Sequence, residues 1–552
     1  MTTPSLIVDT RGQPLMPAAP EAKGNATLLT EGMTGQSVFP YEAASWATQE
    51  MGDWLPWINS PDSEINQFRD RMVARSRDLV RNDGWAAGGI TRILDNTVGA
   101  AMRLSANPDY RGLAALSGNR KFDAVWAEEF RRETEALWRG YSDDIGRYND
   151  LSRKLTVAQQ LRLALRHRLV DGDSLVVTYW KPDRVGYGRG NFATTFSLVD
   201  PDRLSNPYQM VDSAYMRGGV EIDDDGAPVA YHIRKAHQND WYNSVESMVW
   251  ERVVREDDDG WRRVIHDFEH DRAGQNRGVG VFTPVLARFK MLARYYGVEL
   301  QAATIAATFG TYVTSPYDPA QVAEALDDSD QLSAYQEMRA DWAEQRPAVL
   351  SGARIPTLAP GESITSVGAA HPHNGFGEFA HEMLRTFAAA AGISAEQVTQ
   401  DWSKTNYSSA RAALLESWKT LTRRNTEFKI GTATPMYACW MHEAMDRNML
   451  PLPSNAPDFL EARTAYSRCD WLGVARGWVD PVKEKQGAIL GMDGGLSTLK
   501  RECAEQGLDY EEVIQQRAAE VAQFKEAGLP MPSWFGDNAT NASTPEEEPT
   551  AQ

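Results

Sequence analysis

The spacing of apolar positions changes along this chain, and the changes divide it. Starting at Asp62 or Ser63, either of which suits a helix N-cap, Ile65, Phe68, Met72, Leu79 and Val80 recur at helical intervals. After a break at Gly84 a second helix runs through Ile90, Ile93, Leu94 and Val98. A third is predicted over about 121–139, carried by Phe122, Val125, Trp126, Phe130 and Leu137, and a fourth over about 156–170, stopping at Asp171-Gly172-Asp173. The period then shortens. Ser174 to Trp180 is β-branched and aromatic, and Phe196 to Val199 reads as a second strand. Val220–Ile222 and Val229–Ile233 flank the acidic turn Asp223-Asp224-Asp225-Gly226, a hairpin signal. Val253-Val254 and Val264-Ile265 are expected to flank another at Asp257-Asp258-Asp259-Gly260.

From Pro284 to about Phe309 the pattern is a long apolar helix with proline in its first turn. Next come a short strand at Thr311–Thr314, a polar helix over about 320–345, and loops rich in Pro and Gly. A second apolar helix runs from Phe376 to Ala391 and ends at Gly392. Rows of small residues, Ala302-Ala303, Ala306-Ala307 and Ala388 to Ala391, permit close packing, within the chain or against a neighbour. Helices dominate again to about 526. Helical segments thus precede and follow a β-containing middle, which makes the class α+β.

Composition sharpens this picture. Of 552 residues, 42% are apolar and 24% charged, an ordinary globular balance. Lys and Arg number 57 against 76 Asp and Glu, a net charge of −19. Residues 1–62 hold seven acids against two bases, and 527–552 hold four acids and no base, so these two ends carry −9 of the total. Both ends read as disordered acidic arms. An acidic total argues against a surface that clamps nucleic acid, which needs a basic face. Three cysteines without CxxC spacing fit a reducing compartment and argue against a disulfide framework. No run of about 18 apolar residues suggests a membrane span, and the N-terminus lacks a signal-peptide pattern.

Enzyme motifs are scarce. Gly494-Gly495-Leu496-Ser497-Thr498 lacks the lysine of a phosphate-binding loop, and neither His381-Glu382 nor His442-Glu443 completes HExxH. One cluster looks catalytic: His266-Asp267-Phe268-Glu269-His270-Asp271, two imidazoles and three carboxylates in six residues. It supports a rival reading, a metal-dependent hydrolase or nuclease using His266–Asp271. The plainer reading is a polar strand end entering a loop. Arg423-Arg424 meets phosphate or, more simply, forms a solvated face or an ion pair.

Taken in order, several segments resemble the portal proteins of tailed bacteriophages, lambda-like group. They are Ala74-Arg75-Ser76-Arg77-Asp78-Leu79-Val80-Arg81-Asn82-Asp83-Gly84-Trp85, Asp95 to Gly99, Asp171-Gly172-Asp173, Val199-Asp200-Pro201-Asp202-Arg203-Leu204, His266 to Arg272, Gly274-Gln275, Arg277-Gly278, Thr283-Pro284, Leu358 to Glu362, and Asn406 to Arg411. The resemblance covers roughly 63–450.

The resemblance implies a portal fold of wing, stem, clip and crown, a ring with a central DNA channel. It divides the chain into a wing at 63–282, a first stem helix at 283–310, a clip at 311–375, and a second stem helix at 376–392. A tunnel loop at 393–408 and a wing return with helical crown at 409–526 complete it. It also implies a structural conduit without catalysis or cofactor: a homo-dodecamer at the capsid's portal vertex, part of the virion and made in the host bacterial cytoplasm. Implied partners are transiently held double-stranded DNA, the terminase large subunit, major capsid and scaffold proteins, and head-completion or connector proteins, with no membrane. Such a ring nucleates procapsid assembly and serves packaging and ejection. In the tunnel loop, Gln397, Gln400, Trp402, Lys404 and Asn406 are the candidates to face DNA, chosen for polarity and position. In the first stem helix, Arg288, Lys290 and Arg294 stand against Glu299 alone and are expected to meet neighbouring subunits or phosphates. On this reading the acidic total suits a channel that DNA slides through without staying bound.

Overall fold

A computed structural model describes residues 42–44, 51, 53–309, 311–314, 375–403, 405–473 and 481–530, with short pieces between 330 and 366. The chain forms two units, residues 1–59 and 60–552. In the first, Glu42–Ala44 is one 3-10 turn, and Trp54, Leu55, Trp57 and Ile58 are exposed. The second holds everything below.

Its first helix, Pro61–Asn82, is capped two or three residues before the expected Asp62 or Ser63: the Ser60 side chain accepts from Ser63 N, and Pro61 fills the first helical position. Asp83 then caps Gly84–Thr97 by accepting from Ala86 N at 2.9 Å. Tyr110–Ser117 is a short helix that the periodicity did not reveal, and Ala124–Ser142 and Val157–Val170 match the third and fourth patterns. Val157–Val170 opens with a reciprocal capping box between Thr156 and Gln159.

The β-rich middle contains two sheets. β1 (Arg103–Ala106), β2 (Asp173–Trp180), β3 (Thr194–Val199), β4 (Met216–Arg217), β5 (Val220–Ile222), β6 (Pro228–Arg234), β7 (Trp250–Val254) and β8 (Val264–Phe268) follow in chain order. One sheet has the order β3-β2-β8, the other β4-β5-β6-β7, all antiparallel. The hairpin at Asp223–Gly226 forms as expected: Asp223 Oδ1 accepts from Asp225 N and Ala227 N. The second expected hairpin forms only as a turn. Asp257 accepts from Trp261 N and Glu256 bridges Arg262, but β7 then pairs with β6 while β8 pairs with β2. The tip has hairpin chemistry; the flanking strands find better partners in different sheets.

β2 is the central strand of its sheet and is buried on both faces, which explains its unbroken apolar run. Val176 points into one core with Phe196, Trp138, Tyr437 and Trp440; Leu175 and Val177 point into another with Leu204, Tyr231 and Ile233. In the larger core the Trp138 ring meets Trp440 and Tyr437 edge-on at 5.2 and 5.5 Å.

The two long apolar helices are Leu286–Phe309, entered by a 3-10 turn at Thr283–Val285, and Phe376–Ala391. They run antiparallel: Phe289 stacks on Phe387 at 3.6 Å, and Tyr295 on Phe376 at 5.5 Å. Between them β9 (Thr311–Thr314) pairs with β12 (Ser363–Ser366), and β10 (Ala348–Leu350) with β11 (Ala353–Ile355). The polar helix expected over 320–345 lies almost wholly outside the described residues. Gly392, left-handed at φ 69°, ends the second long helix where the sequence placed its end.

Helix Tyr407–Phe428 continues through a π-helical turn, Lys429–Ala433, into Thr434–Asp446. β13 (Cys469–Leu472) returns to pair with β1. The last helix, Tyr510–Glu526, buries no residue; Glu511 and Glu512 at its start pair with Arg131, Arg132, Arg103 and Arg139. Among the described residues no helix is long and apolar enough to cross a membrane.

Candidate functional site

The motifs that carry the family resemblance lie far apart in sequence and meet in space. Asp173, at the start of β2, is fully buried, and its Oδ2 accepts from Arg69 Nη2 at 2.9 Å and Arg277 Nε at 2.6 Å. Its Oδ1 accepts from Gly278 N. Burial alone would raise the Asp173 pKa, but the Arg277 and Arg69 guanidiniums hold it far below the usual carboxylate range. Arg277 also donates to the carbonyls of Leu204, Gly218 and Pro201, so it ties the β4–β5 edge to β2. Gly278 permits this, because a Cβ there would overlap Gly172 O and the Asp173 carboxylate.

A second arginine works beside it. Arg77 Nε donates to Asp171 Oδ1 at 2.7 Å, Nη1 to Asp202 at 3.2 Å, and Nη2 to Asp200. His167 completes Asp171 at 2.6 Å. His167, Asp171 and Asp200, and likewise Asp200, Asp202 and His237, have ligand atoms close enough to hold a cation. The Arg77 guanidinium already occupies the centre of this group.

The catalytic-looking cluster is divided by the two-residue period of its strand. His266, Phe268 and His270 form one row of ring contacts at 5.0 and 4.1 Å. His266 lies 3.6 Å from Asp173, and burial keeps it neutral by lowering its pKa. On the other side Asp267 pairs with Arg168 at 3.1 Å and accepts from Thr432 Oγ1 at 3.1 Å. Arg168 continues to Glu427 at 3.1 Å, while Arg423 joins Glu427 to Glu269 at 2.7 and 2.8 Å. Arg424 donates to the carbonyl of Ala391, at the end of the second long helix. His266 on one side and Asp267 with Glu269 on the other therefore join separate ion networks and do not converge on one ligand. Arg423 and Arg424 take the ion-pair role.

Asp267 has the strongly raised carboxyl of this cluster. Burial pushes its pKa up to about 6, against the pull of Arg168 and Thr432. A carboxyl whose folded pKa is raised binds its proton more tightly when folded, so its contribution appears as pH falls through 6 and is lost as pH rises. Between pH 7 and 5 the wild type is expected to gain on Asp267→Asn by about 1.4 kcal/mol per pH unit below 6. Melting curves of both proteins across that range check this; parallel pH profiles refute it.

The candidate stem cations lie on the first long helix, and the residues expected to face DNA lie on the segment that follows the second. Arg288, Lys290 and Arg294 are all exposed, and no described acid pairs with any of them. On the same helix Met291, Val298 and Leu300 are exposed, and with Tyr295, Phe379 and Met383 several of these residues line a groove of about 430 Å³. The segment 393–408 is more ordered than a loop. Ser394 and Gln397 form a capping box that starts the short helix Ala395–Thr399, so the Gln397 side chain is occupied within it. Gln400 is left-handed at φ 56° and donates to the Gln397 carbonyl. Asn406 caps Tyr407–Phe428 by accepting from Ser409 N. Trp402 is partly exposed, 37%. Lys404 lies outside the described residues. Gln397, Gln400 and Asn406 thus all brace the local backbone, Gln400 and Asn406 while exposed.

Sequence reasoning singled out none of Arg69, Arg77, Arg168, Asp173 or Arg277 for a role. The available signal was that most of them stand inside the matching segments.

A family model for phage portal proteins of the lambda family matches residues 47–425. Portal protein B of Escherichia phage lambda is 33% identical over 90% of this chain and 93% of its own length. The portal protein of Escherichia phage N15 is 33% identical over 88% of this chain and 90% of its own. Among solved structures, a chain from the neck of an empty gene transfer agent particle is 13% identical, covers 83% of this chain and 94% of its own, and superposes with a TM-score of 0.41.

Proposed function

Since the chain belongs to the lambda family of phage portal proteins, we propose that it forms a ring of identical subunits, twelve by family resemblance, through which the phage genome enters and leaves the capsid. It is a structural component of the virion, at the portal vertex. The ring nucleates procapsid assembly with the major capsid and scaffold proteins, receives the terminase large subunit during packaging, and later holds head-completion proteins.

In this reading 63–282 is wing, the helices Leu286–Phe309 and Phe376–Ala391 are the stem, 311–375 is clip, and 393–408 constricts the channel. The observation that carries it is the state of the stem pair. Its inner face is closed by Phe289 on Phe387, while Met291, Val298, Leu300 and Phe379 stay exposed on an isolated subunit. An apolar face beside three cations without an acid partner among the described residues suits a neighbouring copy on one side and passing phosphates on the other.

Electron microscopy of the purified protein tests the assembly: closed rings with a duplex-wide channel are expected, and a monomer at every concentration and salt would overturn it. Replacing Arg288, Lys290 and Arg294 together by Gln is expected to change either ring stability or the salt dependence of packaging. Rings and packaging that respond to salt as the wild type does would remove these cations from the channel.

A further inference from the structure

We infer that a cavity beside the first wing helix binds an oxyanion, carboxylate or phosphate, through Arg234 and Arg69. The cavity, about 700 Å³, lies between the start of Pro61–Asn82 and the strands β4 to β6. Arg69, Arg234 and Arg277 reach its wall, and each is only 2–3% exposed. Their hydrogen bonds are unequally shared. Arg277 is fully used, by Asp173 and three carbonyls. Arg69 makes its bonds through Nη2 alone, to Asp171 O and Asp173, and its Nε has no partner. Arg234 has one long bond, 3.4 Å to Ser205 Oγ, and its Nε also has none. Its guanidinium lies 4.5 Å from the Trp250 ring centre, and no described carboxylate hydrogen-bonds it.

The acids nearby are committed elsewhere. Asp62 accepts from Asn276 N and Nδ2, and Asp212 from Asn66, Asn206 and Gly218 N. Asp70 is exposed at the rim. One buried carboxylate, Asp173, thus serves two guanidiniums, while Arg234 hydrogen-bonds no described carboxylate and feels Asp70 and Asp202 only through space. A buried cation without an acceptor is unfavourable, and burial accordingly lowers the pKa of Arg234. An oxyanion supplies both the charge and the paired oxygens that a planar guanidinium fork accepts. The ligand has two sources with one chemistry: free phosphate, or a carboxylate side chain from a neighbouring copy. The second source rests on the ring proposed above; the first does not.

The experiment uses the full-length protein. Melting is compared in inorganic phosphate and in chloride at equal ionic strength, for wild type, Arg234→Met and Arg234→Lys, with calorimetric titration of phosphate. If the free anion is the ligand, phosphate raises the wild-type melting temperature above that in chloride. Arg234→Met then loses roughly tenfold or more in phosphate affinity, and Arg234→Lys retains part of it. If phosphate has no effect, a ring reconstruction with visible side chains is expected to show a neighbouring carboxylate against Arg234. No phosphate effect together with no carboxylate at Arg234 overturns the proposal, even if the ring itself is intact. A wild-type response to phosphate that both variants keep in full also overturns it.

Discussion

Asp173→Ala is expected to lower stability by about 3–5 kcal/mol, enough to deplete soluble, assembly-competent protein. The reason is the charge left behind. Arg69 and Arg277 are 3% and 2% exposed, and each loses the carboxylate it hydrogen-bonds among the described residues, while Gly278 N loses its acceptor. Asp173 also joins three structures: the helix Pro61–Asn82 through Arg69, β2 through its own backbone, and the Leu204 and Gly218 carbonyls through Arg277. Asp173→Ala combined with Arg277→Met is expected to recover part of the loss, because the second change removes one stranded cation. Thermal melting and the soluble yield of both variants check this. A single variant that melts within a degree of wild type would show that water reaches these arginines.

The second large effect is expected from Gly431→Ala. Gly431 sits in the π-helical turn Lys429–Ala433, and a Cβ there would overlap the Asp267 carboxylate. That carboxylate is held by Arg168 and Thr432 and can move aside only by giving up those bonds. Overpacking of this kind costs about 1–3 kcal/mol. It also reaches beyond the turn, because Tyr407–Phe428 hangs from it and carries the segment proposed to constrict the channel. Loss of packaging is therefore expected to exceed what the stability change explains. If the collision is the cause, Gly431→Ala in an Asp267→Ala background is nearly silent. An undiminished effect there would point to the turn's backbone.

How much of this was legible in the sequence follows from how local each feature is. The helix Gly84–Thr97, the stop at Gly392 and the Asp223–Gly226 turn are set by neighbouring residues, and the sequence reads them correctly. The first helix starts earlier than expected because Ser60-Pro61 outcompetes Asp62 and Ser63, and Asp62 is used instead for Asn276. Strand partners are not local. β8 has a turn on its N-terminal side that announces a hairpin, yet it pairs with β2; β1 pairs with β13 from near the other end of the chain.

The candidate site was legible as motif and opaque as chemistry. His266 to Asp271 looks like one ligand set because sequence adjacency hides the alternation of side chains across a strand. Arg77, Asp171, Asp173, Asp200 and Arg277 each look like ordinary surface charge, since nothing local says that they meet. The helix 284–309 follows from its apolar pattern, while its role and that of 393–408 came from resemblance; polarity alone did not show that Gln397, Gln400 and Asn406 all hydrogen-bond the local backbone.

The short ladder β9–β12 has a consequence for how such a chain diversifies. Thr311–Thr314 leaves the first long helix, Ser363–Ser366 returns toward the second, and four paired residues on each side tie the excursion at its base. Lengthening a segment closed in this way costs entropy only logarithmically, about 0.6 kcal/mol per doubling. The stacked Phe289 and Phe387 do not participate in that closure. Descendants of one ancestral chain are thus free to rewrite everything between Thr314 and Ser363 while inheriting the same pair of helices unchanged.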